Sequence, residues 1–104
     1  MQPKELQKQL NSKTPPLVVD VRSGMEYRRG HITGALHLPL WKLMFRLNGG
    51  LPRDTGTPLV VVCESGSRSQ LAAEMLRRRG YRAIHYLDGD MAAWRRANLP
   101  QQKA

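Results

Sequence analysis

Pro58-Leu59-Val60-Val61-Val62-Cys63-Glu64-Ser65-Gly66-Ser67-Arg68-Ser69 is the stretch that decides the fold. Four consecutive apolar residues, Leu59 to Val62, read as a strand buried on both faces, as strands of a parallel sheet are. Cys63 follows directly. The next five residues are short and turn-forming, and an amphipathic helix is expected to begin near Ser69, with Leu71, Ala72, Met75 and Leu76 on one face, Arg77 and Arg78 outside it, and Gly80 closing it. A strand end, a tight loop and a helix N-terminus place several backbone N–H groups and the positive end of a helix dipole beside one sulfur. That setting favours nucleophilic sulfur chemistry and the binding of an anion.

Working outward, the elements alternate. Upstream, Gln2 to Leu10 is expected to be a short helix ended by Asn11–Pro16, and Leu17-Val18-Val19-Asp20-Val21 a strand. Ser23 is positioned to cap a short helix through Arg29, which Gly30 stops. Ala35–Leu38 reads as extended and Trp41–Leu47 as helical up to Asn48-Gly49-Gly50. Downstream, Ala83–Leu87 reads as a strand, Asp88-Gly89 as a turn, Met91–Ala97 as a final helix and Leu99–Ala104 as a frayed tail. Strands alternating with helices at this spacing predict an α/β fold with a mostly parallel sheet, and 104 residues predict a single domain, 1–104.

Composition narrows the function. One cysteine allows no internal disulfide, and with His31, His37 and His85 scattered it matches no zinc spacing, so neither a metal nor another cofactor is expected. Met1–Leu10 lacks the apolar core of a signal peptide, no apolar run approaches the ~20 residues of a membrane span, and the expected compartment is the cytoplasm. The formal charge of +9 invites a nucleic-acid partner. The basic residues are nevertheless dispersed, with Arg77-Arg78-Arg79 and Arg95-Arg96 on or beside polar helix faces, and few aromatics interleave with them. Solvated helix faces are the simpler reading, with steering of an anionic substrate or docking of an acidic partner as the alternative; neither nucleic acid nor membrane is expected as a partner.

Four segments occur in a fixed order: Asp20-Val21-Arg22 with Glu26-Tyr27; Gly30-His31-Ile32-Thr33-Gly34-Ala35; Cys63-Glu64-Ser65-Gly66-Ser67-Arg68-Ser69; and Gly80-Tyr81 with Leu87-Asp88-Gly89 and Trp94. In this order and spacing the chain resembles a single-domain rhodanese, most strongly from residue 20 to 94. The resemblance implies a rhodanese-like α/β fold, with a mostly parallel five-stranded sheet flanked by helices on both faces. It implies sulfurtransferase chemistry through a cysteine persulfide carried on Cys63. The amides of Glu64, Ser65, Gly66, Ser67, Arg68 and Ser69 would cradle the charged sulfur group, with Arg68 at the loop's closing position. Two departures from the family pattern are Asp90, where a second glycine is common after Gly89, and His37, where asparagine is common; neither is expected to touch the nucleophile.

The donor implied is thiosulfate or another small anionic sulfane donor. With no second cysteine to resolve a persulfide, the acceptor must be external: cyanide in an assay, a small thiol or a protein thiol in a cell. Asp20 is expected to cap the turn after its strand and to pair with Arg22, the alternative being that Arg22 adds positive potential at the site. His31 is expected to be structural rather than a base, and Trp41 and Trp94 to be core or rim. Glu64 either lies at the rim, where it repels a dianion, or points to solvent. Two other functions compete. Cysteine phosphatases carry Cys-x5-Arg, but here Ser69 holds the arginine position and Arg68 comes one residue early. A non-catalytic binding module would use the basic surface alone.

Overall fold

All four residues of strand β4, Leu59–Val62, are fully buried, because helices cover the sheet on both sides. The computed structural model describes residues 1–103. Before β4 the chain forms α1 (Pro3–Leu10), β1 (Leu17–Asp20), α2 (Gly24–Arg29), β2 (His31–Ile32), β3 (Leu36–His37) and α3 (Leu40–Met44); after it come α4 (Ser67–Arg78), β5 (Ile84–Tyr86), α5 (Asp90–Arg96) and β6 (Gln101–Gln102). The central sheet has the order β3-β1-β4-β5, and every neighbouring pair is parallel. It has four strands, one fewer than the resemblance implies.

The alternation of side chains along β4 divides the core in two. Leu59 and Val61 join Val19, Val21, Leu43, Ala72 and Leu76 on the α3–α4 side, while Val60 and Val62 join Leu6, Val18, Ile32, Met91 and Trp94 on the α1–α5 side. The parallel register brings the ends of β1 and β4 together, Asp20 opposite Val62, and β3 beside β1, Asp20 opposite His37. The loops that follow these strands therefore share one edge of the sheet.

Three expectations need correction. Helix α4 starts at Ser67, two residues before the expected start, and buries Ser69, Ala72, Ala73 and Leu76. Leu71 is 50% exposed, because the inward stripe follows small residues that let the helix lie close to the sheet, and an apolarity count passes over Ser69 and Ala73. Helix α3 ends at Met44, ahead of the expected Leu47, and Arg46 turns into the left-handed region at φ 59°. The C-terminal segment is not frayed over residues 99–102. Gln101–Gln102 pair antiparallel with His31–Ile32, and the Trp94 indole N–H donates to the Pro100 carbonyl at 2.9 Å. Ala104 lies outside the described residues.

Candidate active site at the carboxyl end of β4

Cys63 leaves β4 as the chain turns toward α4, and its residue is 1% exposed. The thiol sulfur accepts the Gly66 N–H at 2.9 Å. Gly66 can aim its N–H back at the sulfur because it adopts φ 118°, a conformation that favours glycine. It is also the N-cap of α4, so the first N–H groups of that helix lack helical acceptors and open toward the loop. On the far side of the loop the Ser69 hydroxyl donates to the Gly66 carbonyl at 2.9 Å.

A second helix holds the start of the loop. Met91 N–H donates to the Cys63 carbonyl at 3.0 Å and Ala92 N–H to the Glu64 carbonyl at 3.3 Å, both from the first turn of α5. The Cys63 N–H donates in turn to Asp90 Oδ1 at 2.9 Å. The expectation that Asp90 stays clear of the nucleophile is thus wrong. Asp90 stands in the left-handed region at φ 51°, right after Gly89 at φ 74°, and the double turn folds its carboxyl back under the cysteine. Burial pushes this carboxyl up from the ordinary aspartate range, against the bond from the Cys63 N–H that favours its ionised form. The other departure, His37, keeps to its own strand, with Nε2 at 2.9 Å from the Arg22 carbonyl and its ring stacked on Tyr27.

The charged residues around the loop form a chain of ion pairs. Arg22 is buried and binds Asp20 through Nε and Nη2, the latter at 2.9 Å, and the Gly30 carbonyl at 2.8 Å; the Arg22 N–H donates to Asp20 Oδ1 at 3.1 Å. Asp20 caps the turn and pairs with Arg22, as expected. Arg22 Nη1 still reaches Glu64 Oε1 at 3.4 Å, and Arg95 binds both oxygens of Glu64. Glu64 therefore neither points free to solvent nor stands as an unpaired rim charge. Arg95 holds its carboxyl below the usual range against the cost of burial, and Arg22 adds to the effect. Arg68 does not turn onto the loop. Its guanidinium forks onto Glu26, at 2.6 and 2.9 Å, and ties α4 to α2. Glu26 is also the third residue of the capping box of α2, where it accepts from the Ser23 N–H. The Arg68 fork, opposed by burial and helped by Ser23, holds the Glu26 carboxyl down at about 2. Arg22, Glu26, Arg29, Gly30, Glu64, Arg95 and Gln101 line a cavity of about 360 Å³ against this network.

His31 donates its Nδ1–H to the Tyr27 carbonyl at 2.8 Å and stacks on the Tyr27 ring, a structural setting. Trp94 is core and Trp41 is 54% exposed. Sequence reasoning missed Asp90, Arg95 and the Glu26–Arg68 bridge. The signal for Asp90 was its place at the first residue of a helix that follows a strand end; the other two depend on separations of 31 and 42 residues and carry no local signal.

Comparison with known proteins agrees with this geometry. Residues 2–97 match the model of the rhodanese-like domain. A thiosulfate sulfurtransferase GlpE of Shewanella oneidensis is 40% identical over 81 residues, covering 78% of this chain and 77% of that protein. An uncharacterized protein of Synechocystis is 41% identical over 102 residues, and the chain spans 54% of its length. Among solved structures, a rhodanese-related protein from Thermoplasma volcanium superposes with a TM-score of 0.84 at 25% identity, covering 100% of this chain and 97% of that one. A buried cysteine at a parallel-strand end, a glycine N–H on its sulfur and a matching domain model converge on one assignment: the chain belongs to the rhodanese-like domain family.

Proposed function

We propose that this protein is a sulfurtransferase that carries a sulfane sulfur on Cys63. The observation that supports it most is the Gly66 N–H at 2.9 Å from the Cys63 sulfur, at the N-cap of α4, where negative charge on sulfur is favoured. In the first half-reaction the Cys63 thiolate attacks the outer sulfur of thiosulfate. The S–S bond of the donor breaks, sulfite leaves with the bonding electron pair, and Cys63 becomes a persulfide anion. In the second, an external nucleophile attacks the outer sulfur and the Cys63 thiolate leaves. Cyanide would give thiocyanate; a small or protein thiol would carry the sulfur on as its own persulfide. The N–H groups from Glu64 to Ser69 are proposed to hold the anionic sulfur, Asp20 and Arg22 to brace the neighbouring turn, and a reducing cytoplasm to keep the single thiol reduced.

Arg68 weighs against the phosphatase alternative. A phosphoryl group needs an arginine fork turned into the loop, and this one is engaged on Glu26. Among the described residues no helix is long and apolar enough to cross a membrane. Incubation with thiosulfate followed by intact mass measurement tests the proposal. One added sulfur atom is expected on the wild type and none on Cys63→Ser, with thiocyanate production lost in parallel. Sulfur uptake by Cys63→Ser would refute the carrier role, and arylphosphate turnover exceeding sulfur transfer would favour the phosphatase.

A further inference from the structure

Asp90 is 5% exposed, its carboxyl accepts the Cys63 N–H at 2.9 Å, and its second oxygen lies 3.6 Å from where a Cβ on Gly66 would stand. It therefore sits beneath the loop whose N–H groups face the sulfur. The other carboxylates of this region have cationic partners: Asp20 has Arg22, Glu26 has Arg68, and Glu64 has both Arg22 and Arg95. No ion pair among the described residues includes Asp90.

We propose that Asp90 is a specificity-determining residue, an uncompensated buried carboxyl that disfavours dianionic sulfur donors and selects sulfane donors of lower charge. This rests on the sulfurtransferase reading. A donor must bring its outer sulfur to bonding distance of the Cys63 sulfur, and the charged remainder of a small donor then lies within several ångströms of Asp90. Thiosulfate carries two negative charges there and an organic thiosulfonate one, with the same reacting sulfur. Both react in balance: thiosulfate releases sulfite and the thiosulfonate a sulfinate, each taking the electron pair of the broken S–S bond. One unit of donor charge at ~7 Å and an effective dielectric of ~40 is worth roughly five- to tenfold in binding. Glu64, the obvious acidic loop residue, does not supply this discrimination, because two arginines offset its charge.

The groups facing Asp90 are the Cys63 backbone and thiol at the end of β4, the Ser69 hydroxyl from α4, and the more distant carboxylate of Glu64 in the loop. Burial raises the Asp90 carboxyl above the ordinary aspartate value, whereas Glu64 and Glu26 are lowered, so the acidic titrations of these groups run in opposite directions from their ordinary values. The ionisation of Cys63 affects both donors and cancels in their ratio.

The test compares kcat/KM for thiosulfate and for benzenethiosulfonate, from pH 5 to 8, in wild type, Asp90→Asn and Asp90→Gly. Asparagine keeps an acceptor for the Cys63 N–H and removes the charge. Glycine suits φ 51° and guards against a folding defect. The thiosulfate-to-thiosulfonate ratio is expected to rise roughly five- to tenfold in both variants. Where Asp90 ionises, the ratio should fall with rising pH in the wild type, and the variants should show no such step. A merely structural role would change both donors together and leave the ratio alone. An unchanged ratio, or a lower one in Asp90→Asn, overturns the inference while sulfur transfer stands; failure of the wild type to take sulfur from either donor removes the sulfurtransferase reading and this inference with it.

Discussion

Single residues around the sulfur do work that their type alone does not announce. Gly66 combines φ 118°, an N–H on the Cys63 sulfur and a close approach to Asp90. Alanine there places a Cβ in van der Waals contact with the Asp90 carboxylate and strains the backbone by about 1–3 kcal/mol. The loop is expected to relax by rotating the N–H off the sulfur. Gly66→Ala should lose roughly tenfold or more in sulfur transfer, since a donor aimed at developing charge is commonly worth that much. Thiosulfate:cyanide kinetics beside a thermal melt check this. An unchanged rate with a lowered melting temperature would show that the N–H is structural only.

Among the elements, β6 has the least promising sequence and a clear structural task. Gln101 and Gln102 are exposed, yet their backbone pairs with β2, and the chain just before them supplies the carbonyl that satisfies the buried Trp94 indole. Leu99 packs against the same cluster. Ending the chain at Asn98 leaves the indole N–H unpaired in the core at a cost of about 1–3 kcal/mol, to which the loss of Leu99 adds. A fall in melting temperature of roughly 4–8 °C per kcal/mol is expected for a domain of this size. A truncated chain melting like the full one would mean the tail is dispensable. Two other elements, α2 and α4, are joined by the Glu26–Arg68 fork, which fixes the orientation of the first turn of α4 against the turn that holds Arg22.

The whole molecule should record that fork in its response to acid. Glu26 has a folded-state pKa of about 2 against an ordinary 4.5. A carboxyl lowered on folding stabilises the native state above its unfolded value, and that contribution is lost as pH falls from about 4.5 through about 2. Glu64, lowered mainly by Arg95, acts in the same direction. Asp90 is raised and acts oppositely: its contribution is present below the ordinary aspartate value and disappears as pH rises through its folded value. Urea unfolding between pH 7 and pH 2.5 is expected to show stability falling below pH 4.5 in the wild type and a shallower fall in Glu26→Gln. Equal slopes would mean that the fork leaves Glu26 no more acidic folded than unfolded.

Much of this architecture is written locally. Leu59–Val62 is uniformly apolar because both faces are covered, and Ser23 with Glu26 spells a capping box that forms as the spacing demands. Asp20 and Arg22 are two residues apart and find each other across one turn. Cys63 stands out because it is the lone thiol between a strand and a helix start. The remainder belongs to the tertiary structure. Glu64, Arg68 and Asp90 are each ordinary surface types in sequence, and their partners lie 27 to 42 residues away. Only the parallel sheet, which brings the carboxyl ends of β1 and β4 to one edge beside the first turn of α5, decides that Glu64 is neutralised, that Arg68 turns from the loop, and that Asp90 lies uncompensated beneath the sulfur. Periodicity reports which residues are buried, since burial follows from local pattern; pairing of charges follows from chain crossings that no local pattern encodes.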